Sequence, residues 1–278
     1  AMIGRAGTVP LAASAFGGNV FNVFFVVGIG LMIPVSILVS RARGGAKPEE
    51  ASEYLRHGMT LALIFGAVET LMMVVLGTQL ARFGQPPEVL AVVMPFYLMM
   101  AASLTSVFVY LVLRQFAEAM GHPWVPMVIM LLGVGLNAAL NWVFIYGNLG
   151  MPALGLTGAG ISTLVSRALG ALVIFVWLRR DPAVRASWPR RWFGNYSTER
   201  FREMLKIGLP AGVEFGLMGV YMVVVYALSR RFGAAAQAGF GIGFRIVQSA
   251  FLPIVALGFA GAVLAVIATY FVGAAGGT

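Results

Sequence analysis

Seven apolar runs, each long enough to cross a lipid bilayer, dominate the chain: residues 12–39, 58–81, 89–113, 124–146, 156–178, 208–229 and 237–270. In hydrocarbon every backbone polar group must be satisfied within the protein, so runs of this length are confined to helices. Apolar residues make up 60% of the chain and charged residues 10%, a surface that water would not dissolve. The 35 glycines and 13 prolines would break soluble helices, yet neighbouring helices tolerate them in a membrane. The expected fold class is therefore all-α, a polytopic helical membrane protein. Pro34 and Pro95 are expected to bend the first and third spans, and Pro253 the long last one.

Charge gives the orientation. Of 19 Lys and Arg, thirteen fall in one set of connections (Arg41, Arg43, Lys47, Arg56, Arg114, Arg179, Arg180, Arg185, Arg190, Arg191, Arg200, Arg202 and Lys206) and four in the other (Arg5, Arg82, Arg230 and Arg231). The first set is cytoplasmic by the positive-inside rule, which places the N-terminus outside. The net charge of +9 then reflects topology, and no nucleic-acid partner is expected. The opening AMIGRAGTVPLAA carries no signal peptide, and its abrupt start suggests a truncated chain. With no cysteine, thiolate metal sites and disulfides are excluded. No HExxH, GxSxG or paired intramembrane aspartates are present, so nothing supports an enzyme. No cofactor is expected either.

One stretch places polar groups at depth. LNAALNWVFIYGNLGMPALGLTGAGIST puts Asn137 and Asn141 on one face of a helix from about Trp124 to Tyr146. Ser162 and Thr163 lie on the helix that follows, about 10–15 Å below the same surface at 1.5 Å per residue. Interhelical hydrogen bonding and a ligand or proton site are both open readings. Four ionisable residues also lie inside spans: Glu69, Arg167, Glu214 and Arg245. Glu69 and Arg167 share a depth, which permits an ion pair; the alternative leaves Glu69 in water and sends Arg167 toward the inner surface. Arg245 is expected to close a cavity mouth or bind backbone carbonyls. Met218, Tyr221 and Met222 offer an adaptable apolar wall.

The chain divides at residues 179–207, a connection broken by Asp181-Pro182 and Trp188-Pro189. Its end, STERFREMLKIG, reads as an amphipathic helix on the inner surface with its Arg and Lys toward anionic headgroups. A weak internal repeat supports two lobes: the segment from Val26 aligns with that from Ile254, so that Gly30 meets Gly258 and Gly45 meets Gly273.

GIGLMIPVSILVSRARGGA, RQFAEAMGHPWVPM, the Asn137–Thr163 stretch and IGLPAG resemble, in order, the multidrug and toxic compound extrusion (MATE) transporters. The resemblance implies twelve helices in two six-helix lobes about a central cavity. It also implies antiport, in which a proton or sodium ion drives out a cationic or amphiphilic drug, by a monomer spanning the inner (plasma) membrane of the cell. On that plan residues 1–178 form an N-terminal lobe lacking its first helix, 179–207 a cytoplasmic linker, and 208–278 the first two helices of the C-terminal lobe. Asn137 and Asn141 fall where archaeal-type members carry Asn and, four residues on, Asp. Asn141 therefore departs from the pattern, since an amide releases no proton. Thr163 falls on a family hydroxyl, and Gly147, Pro152 and Gly155 on the outer turn. Glu214 lies one turn before a functional Glu of sodium-coupled members, where this chain has Met218. Glu214, Asn137, Asn141, Thr163 and Glu69 are thus the candidate coupling or substrate residues. The alternatives are a lipid or polysaccharide-precursor flippase of the same superfamily, which needs a strongly cationic cavity, and a seven-helix membrane receptor. The last lysine, Lys206, sits at an interface and could not hold retinal.

Overall fold

A computed structural model describes residues 3, 7–83, 87–192, 194, 196–229, 243, 246 and 247. Apart from residues 243, 246 and 247, the seventh predicted span lies outside the described residues, and so do Arg245, Pro253 and the repeat beginning at Ile254. Six long helices follow one another: α1 (Thr8–Gly44), α2 (Pro48–Gly77), α3 (Pro87–Ala119), α4 (Trp124–Tyr146), α5 (Gly155–Arg180) and α6 (Thr198–Ser229). The first five are long and apolar enough to cross a membrane. α1, α3 and the start of α2 run past the predicted windows because charged turns continue them beyond the hydrocarbon: α1 carries Arg41 and Arg43 in its last turn, and α2 opens on Pro48 with Glu49 and Glu50 behind it and ends at Gly77, short of the predicted residue 81. Pro34 and Pro95 sit inside α1 and α3, each of which continues through its proline.

By compactness the chain falls into two units, Ala1–Leu217 and Met218–Thr278, which divide within α6. Inside the first unit α3 is the hub. It packs on α1, α2 and α5, and its Tyr97, Leu104, Phe108, Val112, Leu113 and Phe116 are fully buried. By contrast α4 packs on α5 and only slightly on α3, and it leaves Val128, Met130, Leu131, Leu132 and Val134 exposed. A helix so apolar on its outer face is suited to acyl chains.

Close contacts occur where side chains are absent. A Cβ on Gly30 would stand 2.5 Å from the Ala211 carbonyl oxygen, one on Gly66 2.7 Å from the Thr105 Cα, and one on Gly158 2.5 Å from the Phe144 carbonyl oxygen. Gly208 and Gly212, four residues apart on α6, meet Leu31 of α1, so α1 and the start of α6 touch backbone to backbone. The outer turn between α4 and α5 reverses at Gly147, whose φ of 74° is left-handed, and Leu154 N–H then closes on the Phe144 carbonyl at 2.9 Å.

The segment STERFREMLKIG is not a separate surface helix but the first turns of α6. Arg200 and Glu203 turn in to the protein, while Glu199, Arg202 and Lys206 stay exposed. Glu203 accepts from the Tyr54 hydroxyl at 2.6 Å and from Arg41. Arg200 bonds Glu53 at 3.2 Å, bonds the Tyr54 hydroxyl, and lies over the Tyr54 ring at 4.7 Å. Buried His57 accepts from the Ser197 N–H through Nε2 at 3.1 Å, while its Nδ1 meets the Glu53 carbonyl at 2.7 Å. This clamp ties α1, α2 and the start of α6 together at the inner end.

Two outcomes are expected. Gly30→Val should destabilise the fold by about 1–3 kcal/mol, since backbone on both sides of the contact cannot yield, whereas Gly18→Ala, where a Cβ meets nothing within 4 Å, should not; thermal unfolding in detergent compares them. Burial pushes the Glu203 carboxyl up, but hydrogen bonds from Tyr54 and Arg41 outweigh it and hold it below the ordinary 4.5. A depressed carboxylate contributes stability that is complete above its unfolded value and lost as pH falls through the folded one. Stability should therefore drop below pH 4.5, and less steeply in Glu203→Gln, as followed by unfolding midpoint against pH.

Candidate functional site

Because α4 leans on α5 and away from α3, a cavity of about 410 Å³ opens between the three helices, with Phe25 of α1 at its side. Its polar lining is Asn137 from α4, Thr163, Ser166 and Arg167 from α5, and Tyr110 and Arg114 from α3. Gly133 and Gly170 keep the walls open: a Cβ on Gly133 would meet nothing within 4 Å, and one on Gly170 only the Tyr110 ring at 3.9 Å. The Tyr110 hydroxyl donates to the Pro126 carbonyl at 2.9 Å and joins α3 to the inner end of α4. Arg114 is paired with Glu118, one turn on, at 2.7 Å.

The amides and hydroxyls bond within their own helices. Asn141 donates from Nδ2 to the Asn137 Oδ1 at 2.9 Å, Thr163 donates to the Ala159 carbonyl at 2.8 Å, and Ser162 donates to the Gly158 carbonyl at 2.8 Å. The structure thus brings Asn137 and Thr163 to one cavity and sets Asn141 behind Asn137, with its Oδ1 buried and unpartnered in the protein.

Glu69 and Arg167 form no ion pair. On α2, Glu69 sits in the stretch where Gly66 abuts Thr105 and the Thr70 hydroxyl donates to the Ala101 carbonyl at 2.9 Å. Arg167 instead donates to the Ser103 hydroxyl at 2.7 Å and stacks over the Phe21 ring at 4.5 Å. Ser103 is two residues from both Ala101 and Thr105, about 200° around a helix of 3.6 residues per turn, so α3 stands between the two charges. Nor does Arg167 run to the inner surface; its head is held by α1 and α3. Glu69 is 6% exposed, with one carboxylate oxygen unpartnered in the protein. Glu214 lies on an exposed face of α6, apart from the cavity, and Met218 and Tyr221 are exposed as well.

Sequence reasoning had not placed Tyr110, Ser166 or Arg114 in the site. Ser166 adjoins Arg167 and repeats Ser162 one turn on, a pattern that marks a polar stripe on α5. Tyr110 and Arg114 resemble any interfacial residues until α4 is seen to stand off from α3.

A bundle of membrane-length helices of this kind is a multi-pass membrane protein, here with a cavity between three of them. The MatE family model matches residues 1–143. The chain is 27% identical over 256 residues to "Probable multidrug resistance protein NorM" of Neisseria meningitidis serogroup A, covering 89% of this chain and 56% of that protein. It is 29% identical over 255 residues to the protein of that name from Pseudomonas putida, covering 90% and 54%. The fold superposes on "Outward-facing conformation of a multidrug resistance MATE family transporter of the MOP superfamily" with a TM-score of 0.81 and 26% identity, over 91% of this chain and 56% of that one. The corresponding inward-facing structure gives 0.71 and 27%, over 88% and 55%. The chain belongs to the MatE family. It spans about half the length of the relatives it matches.

Gly133→Leu should fill the cavity without disturbing its walls. The expected outcome is an unchanged unfolding midpoint with loss of small-molecule binding, read by fluorescence titration.

Proposed function

We propose that the chain is part of a secondary active exporter that moves small cationic or amphiphilic compounds out across the inner (plasma) membrane in exchange for protons or sodium, acting as a monomer and without a cofactor. The observation that carries this reading is the cavity that gathers Asn137, Thr163 and Arg167 inside a helix bundle. Polar groups at that depth are costly in lipid unless they meet one another, water or a ligand. The relatives named for multidrug resistance support export over the receptor reading. The work is carriage and not catalysis.

Coupling to a proton requires a group that changes charge within the membrane. Asn141 cannot, and the carboxylates inside the predicted spans of this chain are Glu69 and Glu214. Glu69 is buried, and one of its carboxylate oxygens has no partner in the protein. Glu214 is exposed on α6, where water or a coupling ion could reach it.

The test is ion-coupled efflux from proteoliposomes with Glu214→Gln and Glu69→Gln. Loss of coupling by tenfold or more in at least one variant is expected. Unchanged transport driven by the ion gradient in both variants would remove these two carboxylates from the coupling.

A further inference from the structure

The cavity described above has a polarity that a cation carrier does not need. Arg167 brings a permanent charge to mid-membrane, where leaving it unmatched costs about 2.5–3.5 kcal/mol or more. Its partners, the Ser103 hydroxyl and the Phe21 ring, are both neutral, and among the described residues no carboxylate lies within 4.0 Å of it. Glu69 is on the far side of α3, and the one other cation in the lining, Arg114, already has Glu118. Among the described residues the cavity lining therefore carries one unmatched positive charge.

The neutral groups point the same way. The Asn137 oxygen already accepts from Asn141, and its amide also carries two N–H donors. The Ser166 hydroxyl, in a residue 7% exposed, lines the cavity and has no partner in the protein. Ser103 takes one of the guanidinium donors, and the remaining fork suits the two oxygens of a carboxylate or phosphate.

We propose that this cavity is an anion site, in which Arg167 and Ser166 hold the acidic head group of an amphiphile whose apolar body lies along Ile129, Met130 and Val134 of α4. The inference rests on the exporter reading only for what happens to the molecule after it binds. It narrows the substrates from cationic or amphiphilic compounds to amphiphiles that bear a carboxylate or phosphate, zwitterions included. A volume of about 410 Å³ holds a molecule of one or two rings.

The test is equilibrium binding of dansylglycine and of its uncharged methyl ester to the whole chain in phosphatidylcholine nanodiscs. The acid should bind at least tenfold tighter than the ester. Ser166→Ala should weaken the acid three- to tenfold and the ester less than twofold. Arg167→Gln should bring the two within twofold of each other; if that variant does not fold, Ser166→Ala and the probe pair still decide. Equal affinities in the unaltered chain, equal weakening of both probes in each folded variant, or tighter binding of tetraphenylphosphonium in competition with the acid would each overturn the proposal. Displacement of the acid by phosphatidylglycerol added to the nanodiscs supports the anion site and assigns it to a lipid head group; no displacement assigns it to a soluble organic acid. Binding is measured without transport. Acid-selective binding with no efflux removes the exporter reading alone, and efflux with no preference for the acid removes this inference alone.

Discussion

Helices in lipid gain little by hiding leucine from leucine, because the acyl chains are as apolar as the side chains they replace. What holds this bundle together is how near its backbones can come. Gly30 against Ala211, Gly66 against Thr105 and Gly158 against Phe144 are approaches that a single methyl group would block. Each joins α3, α1 or α5 to a neighbour along a seam of small residues, and dispersion between main chains does what the hydrophobic effect does in water. Where that seam is missing, between α3 and α4, the helices part and the cavity forms.

The polar groups follow a division set by water. At the inner end, where solvent reaches, full charges face one another in the network of Arg41, Tyr54, Arg200, Glu53 and Glu203. Such partly exposed pairs contribute little singly, and their effect here is to fix the start of α6 on α1 and α2. At mid-depth the rule changes. Asn141, Ser162 and Thr163 bond within their own helices, and Arg167 rests on a hydroxyl and a ring. Groups satisfied in this local way leave the space between helices available to a ligand.

Much of this was legible along the chain. The helix predicted from Trp124 to Tyr146 has those ends, and the next was placed within two residues at each end, because apolar length and the Gly-Pro turn signal both mark them. The first and third helices were read too short at both ends and the second at its start, since a hydropathy window stops at the first charges while the backbone continues into water; the second was also carried to residue 81, past its end at Gly77. The segment before Ile207 reads as amphipathic in either setting; only the Glu203, Arg200 and His57 contacts distinguish a helix on headgroups from one clamped to α1 and α2. Asn137 and Thr163 were recognisable as candidates because an amide or hydroxyl within an apolar run is rare.

The order of apolar runs and charges by itself determined a multi-pass all-α protein and the position of each polar residue along its helix, for these depend only on position along a helix and the thickness of a bilayer. Which of those residues meet was decided by the rotation of each helix about its axis, and that is set by packing against neighbours distant in sequence. Glu69 and Arg167 show the limit: equal depth made a pair conceivable, and the phase of α3 put them on opposite sides of it. The same phase turned Arg167, Ser166 and Asn137 into one cavity.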